Sequence, residues 1–119
     1  MATFTRRILS GSTDGAAIAV AGTSSPGTTI HTGATATGTI DEVHAWIYNT
    51  ATAVRTVVVE WAGTATSSNL WMNILPQDGA YALIPGTIMV GNGTAALVTR
   101  AYATATGGLN IFGYVNRIA

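Results

Sequence analysis

The sequence predicts an all-β fold: a single-domain, antiparallel, jelly-roll-like β-sandwich that spans residues 1–119. Three observations predict it. Short segments rich in Val, Ile and Thr recur along the chain, and Gly, Pro or Asn separates them about every eight to twelve residues. No segment holds apolar residues at the i, i+3, i+4, i+7 spacing of a helix for long. The 20 Ala residues are interleaved with 20 Thr and 14 Gly, which are poor helix formers, so we expect about eight strands and little helix.

The first element, residues 1–9, is interpreted as an edge strand that ends in a turn. Arg6 and Arg7, followed by two apolar residues, resemble the start of a twin-arginine export signal. The next residues are polar and include Asp14, whereas an export signal needs an apolar segment there. We therefore expect a strand rather than a leader.

The central part of the chain is predicted to contain one loose region and one hairpin. Residues 21–39 are rich in Gly, Ser and Thr and are expected to form loops. In residues 42–48, successive side chains point to opposite faces of a strand, and both faces carry bulky side chains. This pattern indicates a strand at the centre of its sheet. Residues 54–62 are rich in β-branched side chains and are predicted to form the next strand. Since only a short polar loop separates these two strands, we expect them to pair as an antiparallel hairpin.

The remaining strands follow at short spacing. They are predicted at residues 70–75, 81–84, 87–90, 96–103 and 109–118, each bounded by Gly, Pro or Asn. Pro85-Gly86 is expected to separate the third of these strands from the second.

Charge and cysteine content exclude several classes of function. Charged residues make up 8% of the chain, against about 25% in ordinary soluble domains, and the net charge is zero. The zero net charge argues against a nucleic-acid partner. The absence of an apolar run of about 20 residues argues against a membrane partner. The absence of Cys excludes disulfides and thiolate chemistry. All five basic residues are Arg, which interfaces favour over Lys, so we expect a homo-oligomer; the alternative is drift in a GC-rich genome.

One group of acidic and imidazole side chains could bind a metal. On a strand, Glu42 and His44 share one face while Asp41 points to the other, and His31 would have to come from a distant loop. At most two ligands converge, whereas a closed zinc site needs about four. We therefore expect no metal and no cofactor.

Catalytic residues are not predicted either. The serines lie in polar loops, and none stands in the G-x-S-x-G pattern that exposes a nucleophile. The sequence therefore predicts that the protein is not an enzyme.

The aromatic residues allow two interpretations. Trp46 and Tyr48 share a strand face, with Trp61 expected across the hairpin, and Trp71 follows a polar stretch. Trp46, Tyr48 and Trp71 could form a subunit contact or a platform on which sugar rings stack. Core or subunit contact is the preferred interpretation.

Three stretches resemble a known group of proteins. They are residues 110–118, which end directly before Ala119; residues 40–43 followed by Tyr48-Asn49-Thr50; and Ile84-Pro85-Gly86. The chain resembles the small β-sandwich decoration, or cement, proteins of tailed bacteriophage heads. The resemblance implies a structural virion protein without catalytic residues, forming trimers on the major capsid protein lattice. It further implies a place on the outer capsid surface after assembly in the host cytoplasm. The alternative is a head-fibre, tail or connector component that binds a receptor or glycan.

The N-terminal segment is the expected partner contact. Phe4, Arg6, Arg7 and Ile8 combine apolar side chains with guanidinium groups that can bind carboxylates in pairs. The segment could anchor the protein to the capsid or form the first strand of its own sandwich, and an edge strand can do both.

Overall fold

The computed structural model describes residues 2–119, which form nine strands and a single turn of 3-10 helix. The strands are β1 (Phe4–Ile8), β2 (Ile18–Ala19), β3 (Thr28–Thr32), β4 (Ile40–Asn49), β5 (Arg55–Glu60), β6 (Asn69–Ile74), β7 (Ala80–Val90), β8 (Val98–Ala103) and β9 (Leu109–Ile118), with the 3-10 turn at Thr66–Ser68. Met1, the first residue of the predicted N-terminal strand, lies outside the described residues. Within residues 2–119, no helix has the length and apolar character needed to cross a membrane.

The strands form two antiparallel sheets, which confirms the predicted β-sandwich. Sheet A has the order β1-β9-β4-β7, and β2 pairs with β9 on the same edge as β1. Sheet B has the order β3-β8-β5-β6. As predicted from its bulky residues on both faces, β4 is central, since it lies between β9 and β7.

Strand pairing is nested from the two ends of the chain inward. β1 and β2 pair with β9, β3 with β8, β4 with β7, and β5 with β6. From β2 to β9, the β5–β6 connection is the one link between successive strands that stays within a sheet; the others cross between sheets. The predicted hairpin between residues 42–48 and 54–62 is therefore wrong. Its two strands, β4 and β5, pack face to face and bury apolar side chains of both in one core.

The core lies between the sheets and is built from alternating residues. In β4 every second residue is buried, from Asp41 to Asn49. Fully buried apolar residues come from both sheets, among them Ile47 and Ile111 from sheet A and Val57 from sheet B. Alternation of this kind is what one buried face of a sheet requires.

Two further predictions about individual strands are wrong for identifiable reasons. β3 lies inside residues 21–39, which were expected to be loops; its sequence is mostly Thr, and Ile30 is its one apolar residue. β7 continues through Pro85-Gly86, where a break was expected. Because β7 is an edge strand with register shifts against β4, a proline that cannot donate a ladder hydrogen bond is tolerated there.

Candidate functional site

The outer face of sheet A carries most of the aromatic side chains and is the main candidate site. Directly opposed residues of antiparallel strands share a face, so the register places side chains of β1, β9, β4 and β7 on it. We call this surface the aromatic face. Its members are Phe4, Arg6, Ile8, Ile40, Glu42, His44, Trp46, Tyr48, Ala80, Ala82, Pro85, Ile88, Val90, Asn110, Phe112, Tyr114, Asn116 and Ile118.

A continuous series of stacked rings runs along β4 and β9. Trp46 stacks on Phe112 with 5.8 Å between ring centroids, and Tyr48 tilts against Phe112 at 5.9 Å. His44 stacks on Tyr114 at 4.8 Å. These separations are typical of favourable aromatic pairs, so each ring is fixed by its neighbours and shields part of its neighbours from water.

Backbone at Gly86 leaves room for the imidazole of His44. Gly86 has a φ of 89°, and a Cβ at this position would lie 2.9 Å from Cε1 of His44. His44 is therefore held between Gly86 and the ring of Tyr114. On the β1 side of Tyr114, on the same face, the guanidinium carbon of Arg6 lies 4.8 Å from the centroid of the Tyr114 ring, a cation–π contact.

The periphery of the aromatic face exposes large apolar side chains. Phe4, Ile118, Ile40 and Val90 stand opposite one another in one row across all four strands. Phe4 is 65% exposed, Ile88 49% and Val90 43%. An extended apolar surface of this kind marks an interaction site more often than a free surface.

The two charged side chains of the aromatic face, Arg6 and Glu42, each have partners within it. Glu42 accepts hydrogen bonds from Nε2 of His44 at 2.6 Å and Nδ2 of Asn116 at 3.2 Å. These hydrogen bonds, first that from His44, hold the pKa of Glu42 below its ordinary value. Arg6 donates to Oδ1 of Asn116 at 3.4 Å. Glu42 therefore keeps two hydrogen-bond donors within the face, whereas Arg6 has one long hydrogen bond and a cation–π contact.

On the opposite side of β4 lies a second, buried group of charges, which we call the buried ion cluster: His31, Asp41 and Arg117. Arg117 donates to both carboxylate oxygens of Asp41 from Nε and Nη2, each at 2.7 Å. Nε2 of His31 lies 2.7 Å from the same carboxylate. Nδ1 of His31 accepts the backbone N–H of Ser10 at 3.1 Å, so the proton of the neutral ring resides on Nε2, which donates to Asp41.

Burial shifts the pKa values of the two acid–base groups of this cluster, His31 and Asp41, in opposite directions. Burial lowers the pKa of His31, and the hydrogen bond to Asp41 offsets this only in part. For Asp41, burial alone would raise the pKa, but the hydrogen bonds from Arg117 and His31 outweigh it and hold the pKa below its ordinary value. Asp41 is therefore an ionised carboxylate beside a neutral histidine.

The cluster connects three parts of the chain and does not activate a nucleophile. The lone pair of His31 that could accept a hydroxyl proton is used by the amide of Ser10. The hydroxyl oxygen of Ser10 accepts the N–H of Thr32 at 2.6 Å. These contacts join the turn after β1 to β3 and β4, so the chemistry they support is structural.

The predicted separation of the acidic residues is confirmed. Glu42 and His44 pair on the outer face, while Asp41 pairs on the inner face with His31. In residues 2–119, no group of three or more His, Asp or Glu side chains is placed to hold a metal ion.

The predicted aromatic platform is only partly assembled. Trp46 and Tyr48 do lie together on the aromatic face, but Trp71 lies in sheet B opposite Val58 and is 60% exposed. Trp61 packs against the core at the β6–β7 side and does not face Trp46. The two sheets separate these residues because β4 and β5 do not pair. The neighbours of Trp46 are Phe112 and Tyr114 of β9. The alternating pattern of β9 predicts that these two side chains share a face, but it does not give the register of β9 with β4.

The four predicted N-terminal contact residues also divide between two surfaces. Phe4, Arg6 and Ile8 lie on the aromatic face, whereas Arg7 points to the other side of β1. All five residues of β1 are exposed, but the next residue, Leu9, is fully buried. The predicted unit of residues 1–9 is thus an exposed edge strand followed by a core residue, and a deletion that spares the core must end before Leu9.

The fold and its faces define the class of the protein as an antiparallel β-sandwich with an exposed aromatic face. Comparison of the chain with protein families, with curated proteins and with solved structures finds no match to any of them. The aromatic face therefore carries the functional inference.

Proposed function

We propose that the protein is a structural virion protein: a capsid decoration, or cement, protein that binds the lattice of the major capsid protein and stabilises the phage head. The observation that supports this proposal is the aromatic face. It combines an exposed apolar row with stacked rings and carries two charged side chains, which already have partners. Interface centres are likewise depleted in charge and enriched in aromatic residues and Arg.

The topology supports the same proposal. If β1 and β2 are counted as one interrupted edge strand, eight strand positions form two four-stranded sheets by nested pairing. We interpret this order as that of a jelly roll, a fold used by viral capsid and lectin domains. Because folds host many functions, the topology adds support only alongside the face that it presents.

Partners and location follow from the resemblance to phage decoration proteins and belong to the proposal. The protein acts as a homotrimer on the outer capsid surface, after assembly in the host cytoplasm. It has no enzymatic activity, needs no cofactor and has no nucleic-acid or membrane partner. The zero net charge supports the absence of a nucleic-acid partner, since binding to packaged DNA would require a basic surface.

The proposal is tested with a matched pair of substitutions. Ile88 on the aromatic face and Leu75 at the end of β6 are each 49% exposed, so Ile88→Asp and Leu75→Asp change equally accessible apolar side chains. Light scattering should show an oligomer for the wild type and Leu75→Asp, and a 12.1 kDa monomer for Ile88→Asp. A wild-type monomer at micromolar concentration contradicts the proposed trimer, and equal behaviour of the variants contradicts the role of the face.

Location on the particle needs a separate experiment. Electron microscopy of particles purified from cells that make the protein should show the wild type and Leu75→Asp on the outer head surface, and Ile88→Asp absent from it. Labelled protein found only on tails or inside the head would contradict a decoration role.

A second candidate function is recognition of a glycan or receptor by a head-fibre, tail or connector component. The observation that favours it is Trp71, which is 60% exposed in β6 and lies across β5 from Tyr102. Exposed aromatic rings are suited to stacking against sugars. A glycan array should show a signal that Trp71→Ala removes; no signal from the wild-type protein contradicts this candidate.

A further inference from the structure

The large exposed apolar side chains of residues 2–119 form two groups, of which only one lies on the aromatic face. The members on that face are Phe4, Ile8, Ile88 and Val90. The others lie in β6 or beside its ends: Val54, Leu70, Trp71 and Leu75. A second apolar surface therefore surrounds β6, the last strand of sheet B.

β6 differs from the other edge strands in having nothing that prevents a further strand from pairing with it. β1 carries Arg6 and Arg7, and β7 contains Pro85 and shifts its register against β4. β3 has a register shift against β8, and β2 is two residues long. Charges, prolines, bulges and short length keep edge strands from pairing with other chains. β6 pairs with β5 without a shift over Asn69–Ile74, and it has no charged residue and no proline.

The hydrogen bonding of β6 identifies its free backbone groups. Its ladder with β5 follows a bond in which the N–H of Trp61 donates to the C=O of Ser68 at 3.0 Å. Because the backbone groups of an antiparallel strand alternate between its two sides, the even-numbered residues of β6 bond to β5. The open edge therefore presents both backbone groups of Trp71 and Asn73 and the C=O of Asn69, whose N–H is taken by the 3-10 turn. In residues 2–119, no strand pairs with this side of β6.

These free groups make β6 complementary to a second copy of itself. Two antiparallel strands related by a two-fold axis perpendicular to the sheet keep their outer faces on the same side. With Trp71 on the axis, residues 69–73 of one copy lie opposite residues 73–69 of the other. The N–H groups of Trp71 and Asn73 then donate to the C=O groups of Trp71 and Asn69 in the second copy. An axis at Asn69 or Asn73 leaves less of β6 in the overlap, because the strand ends at Ile74.

We propose that β6 pairs with β6 of a second copy of this chain, about a two-fold axis at Trp71, and so joins two copies of sheet B into one continuous sheet. Pairing places Trp71, which is 60% exposed, opposite its own copy, and Leu70, which is 48% exposed, opposite Met72. Directly opposed side chains of antiparallel strands are in contact. Since the paired segment carries no charge, no ion loses water.

The small size of this contact decides where it forms. Stable interfaces use about 20–30 residues a side, and residues 69–73 are far fewer. We therefore expect isolated protomers to remain monomers at micromolar concentration, whereas oligomers that present several β6 edges gain from multivalency. A two-fold contact does not close a three-fold ring, so it joins protomers of different trimers. The inference rests on the proposed homotrimer only for the number of edges that each oligomer presents.

Cysteine trapping tests the pairing and its register, because the chain has no Cys of its own. Asn69→Cys and Asn73→Cys are oxidised with copper phenanthroline, separately and as an equal mixture, and the cross-linked dimer is measured on non-reducing gels. In the proposed register position 69 of one copy faces position 73 of the other, whereas like positions lie about 13 Å apart, too far for a disulfide. We expect the mixture to cross-link about tenfold faster than either variant alone.

Trp71→Cys tests the position of the axis in a single variant. A residue on the axis faces its own copy at about 5.5 Å between Cα atoms, within the range of a disulfide. Leu75→Cys is the matched control, since Leu75 is 49% exposed and lies outside the paired residues. We expect Trp71→Cys to cross-link about tenfold faster than Leu75→Cys. This comparison stands by itself should an asparagine variant fail to fold.

A charge on the axis should block the pairing. Trp71→Lys, added to both asparagine variants, places two like charges opposite each other. It should slow cross-linking of the mixture to the rate of the separate variants. Leu75→Lys is the control and should leave the rate of the mixture within about twofold.

Three results would overturn self-pairing and leave the edge to a strand of another protein. They are equal rates for the mixture and the separate variants, Trp71→Cys no faster than Leu75→Cys, and no effect of Trp71→Lys. Failure of the proposed decoration role is read separately, from normal assembly of Ile88→Asp. The choice of register by the cysteine variants depends on β6 alone and should persist in the Ile88→Asp background.

Discussion

Two neighbouring carboxylates on β4 make the same contact in different surroundings. Asp41 lies 2.7 Å from Nε2 of His31, and Glu42 lies 2.6 Å from Nε2 of His44. The Asp41 side chain is 0% exposed, whereas the Glu42 side chain is 32% exposed. One step along a strand reverses the face, so adjacent residues with similar chemistry occupy the core and the surface. Position in the fold, rather than the type of pair, therefore decides what an ion pair contributes to stability.

The physical difference is the availability of water. If the outer pair, Glu42 and His44, breaks, water can hydrate both side chains, and exposed pairs of this kind contribute little to stability. If the inner pair, Asp41 and His31, loses its carboxylate, Arg117 and His31 lose a buried partner that nothing replaces. Such a change lowers the free energy of unfolding strongly.

The largest effect is expected from Asp41→Asn. The substitution keeps the shape of the side chain but removes the charge that Arg117 and His31 bind. We expect a loss of about 3–5 kcal/mol in the free energy of unfolding, the range for removing one partner of a buried pair. Urea unfolding followed by tryptophan fluorescence measures it. A loss below about 1 kcal/mol would mean that the inner pair behaves like a surface pair.

Acid should affect the inner pair in two steps. The folded-state pKa of His31 lies below its ordinary value of 6.5, so as the pH falls the unfolded chain binds a proton first. The contribution of neutral His31 to the free energy of unfolding is fully present above about pH 6.5. It is lost as the pH falls through the lowered pKa of His31. Protonation of Nδ1 would also set its N–H against the N–H of Ser10. Because the pKa of Asp41 lies below 3.8, the second loss follows below that pH.

The His44→Gln variant isolates this effect, since it leaves His31 as the only histidine in the chain. Urea unfolding at a series of pH values should show the first decrease in this variant as in the wild type. Constant stability from neutral pH down to the ordinary pKa range of carboxyl groups would contradict the role of His31.

A smaller effect is expected from Arg117→Lys. Lysine keeps a positive charge near Asp41 but cannot donate to both oxygens from one plane, as Nε and Nη2 of Arg117 do. Loss of one charge-assisted hydrogen bond should cost about 1.5 kcal/mol in the free energy of unfolding. Arg6→Lys, at an exposed position in the same sheet, is the control and should change stability by less. Equal changes in the free energy of unfolding for the two variants would show that the paired hydrogen bonds from Arg117 to Asp41 add no stability beyond that of an exposed arginine.

The smallest effect is expected from Glu42→Gln. Glutamine can still accept from Asn116 and His44, and both members of the outer pair contact water. The free energy of unfolding should change by less than about 1 kcal/mol. A change as large as that of Asp41→Asn would remove the contrast between the two pairs.

The faces of these carboxylates could be predicted from the sequence, but their partners could not. The alternation of β4 was enough to put Glu42 and His44 on one face and Asp41 on the other. Arg117 lies 76 residues from Asp41 in the chain, and only the register of β9 with β4 places it opposite. His31 lies in β3, a Thr-rich edge strand in a segment that was expected to be a loop.

The class of the fold and most strand positions follow from local features of the sequence. Alternation, β-branched segments and turn residues are local properties, and they predicted β9, at residues 109–118, with its observed bounds. They also predicted that β4 is central in its sheet, because it has bulky residues on both faces.

Which strands pair depends on the packing of the whole sandwich. Every non-proline residue offers the same backbone N–H and C=O groups, so hydrogen bonding alone does not choose between pairing β4 with β5 and packing them face to face. The choice depends on burying the inner faces of all the strands at once, which joins residues far apart in the chain. The aromatic face and the buried ion cluster are both products of that choice.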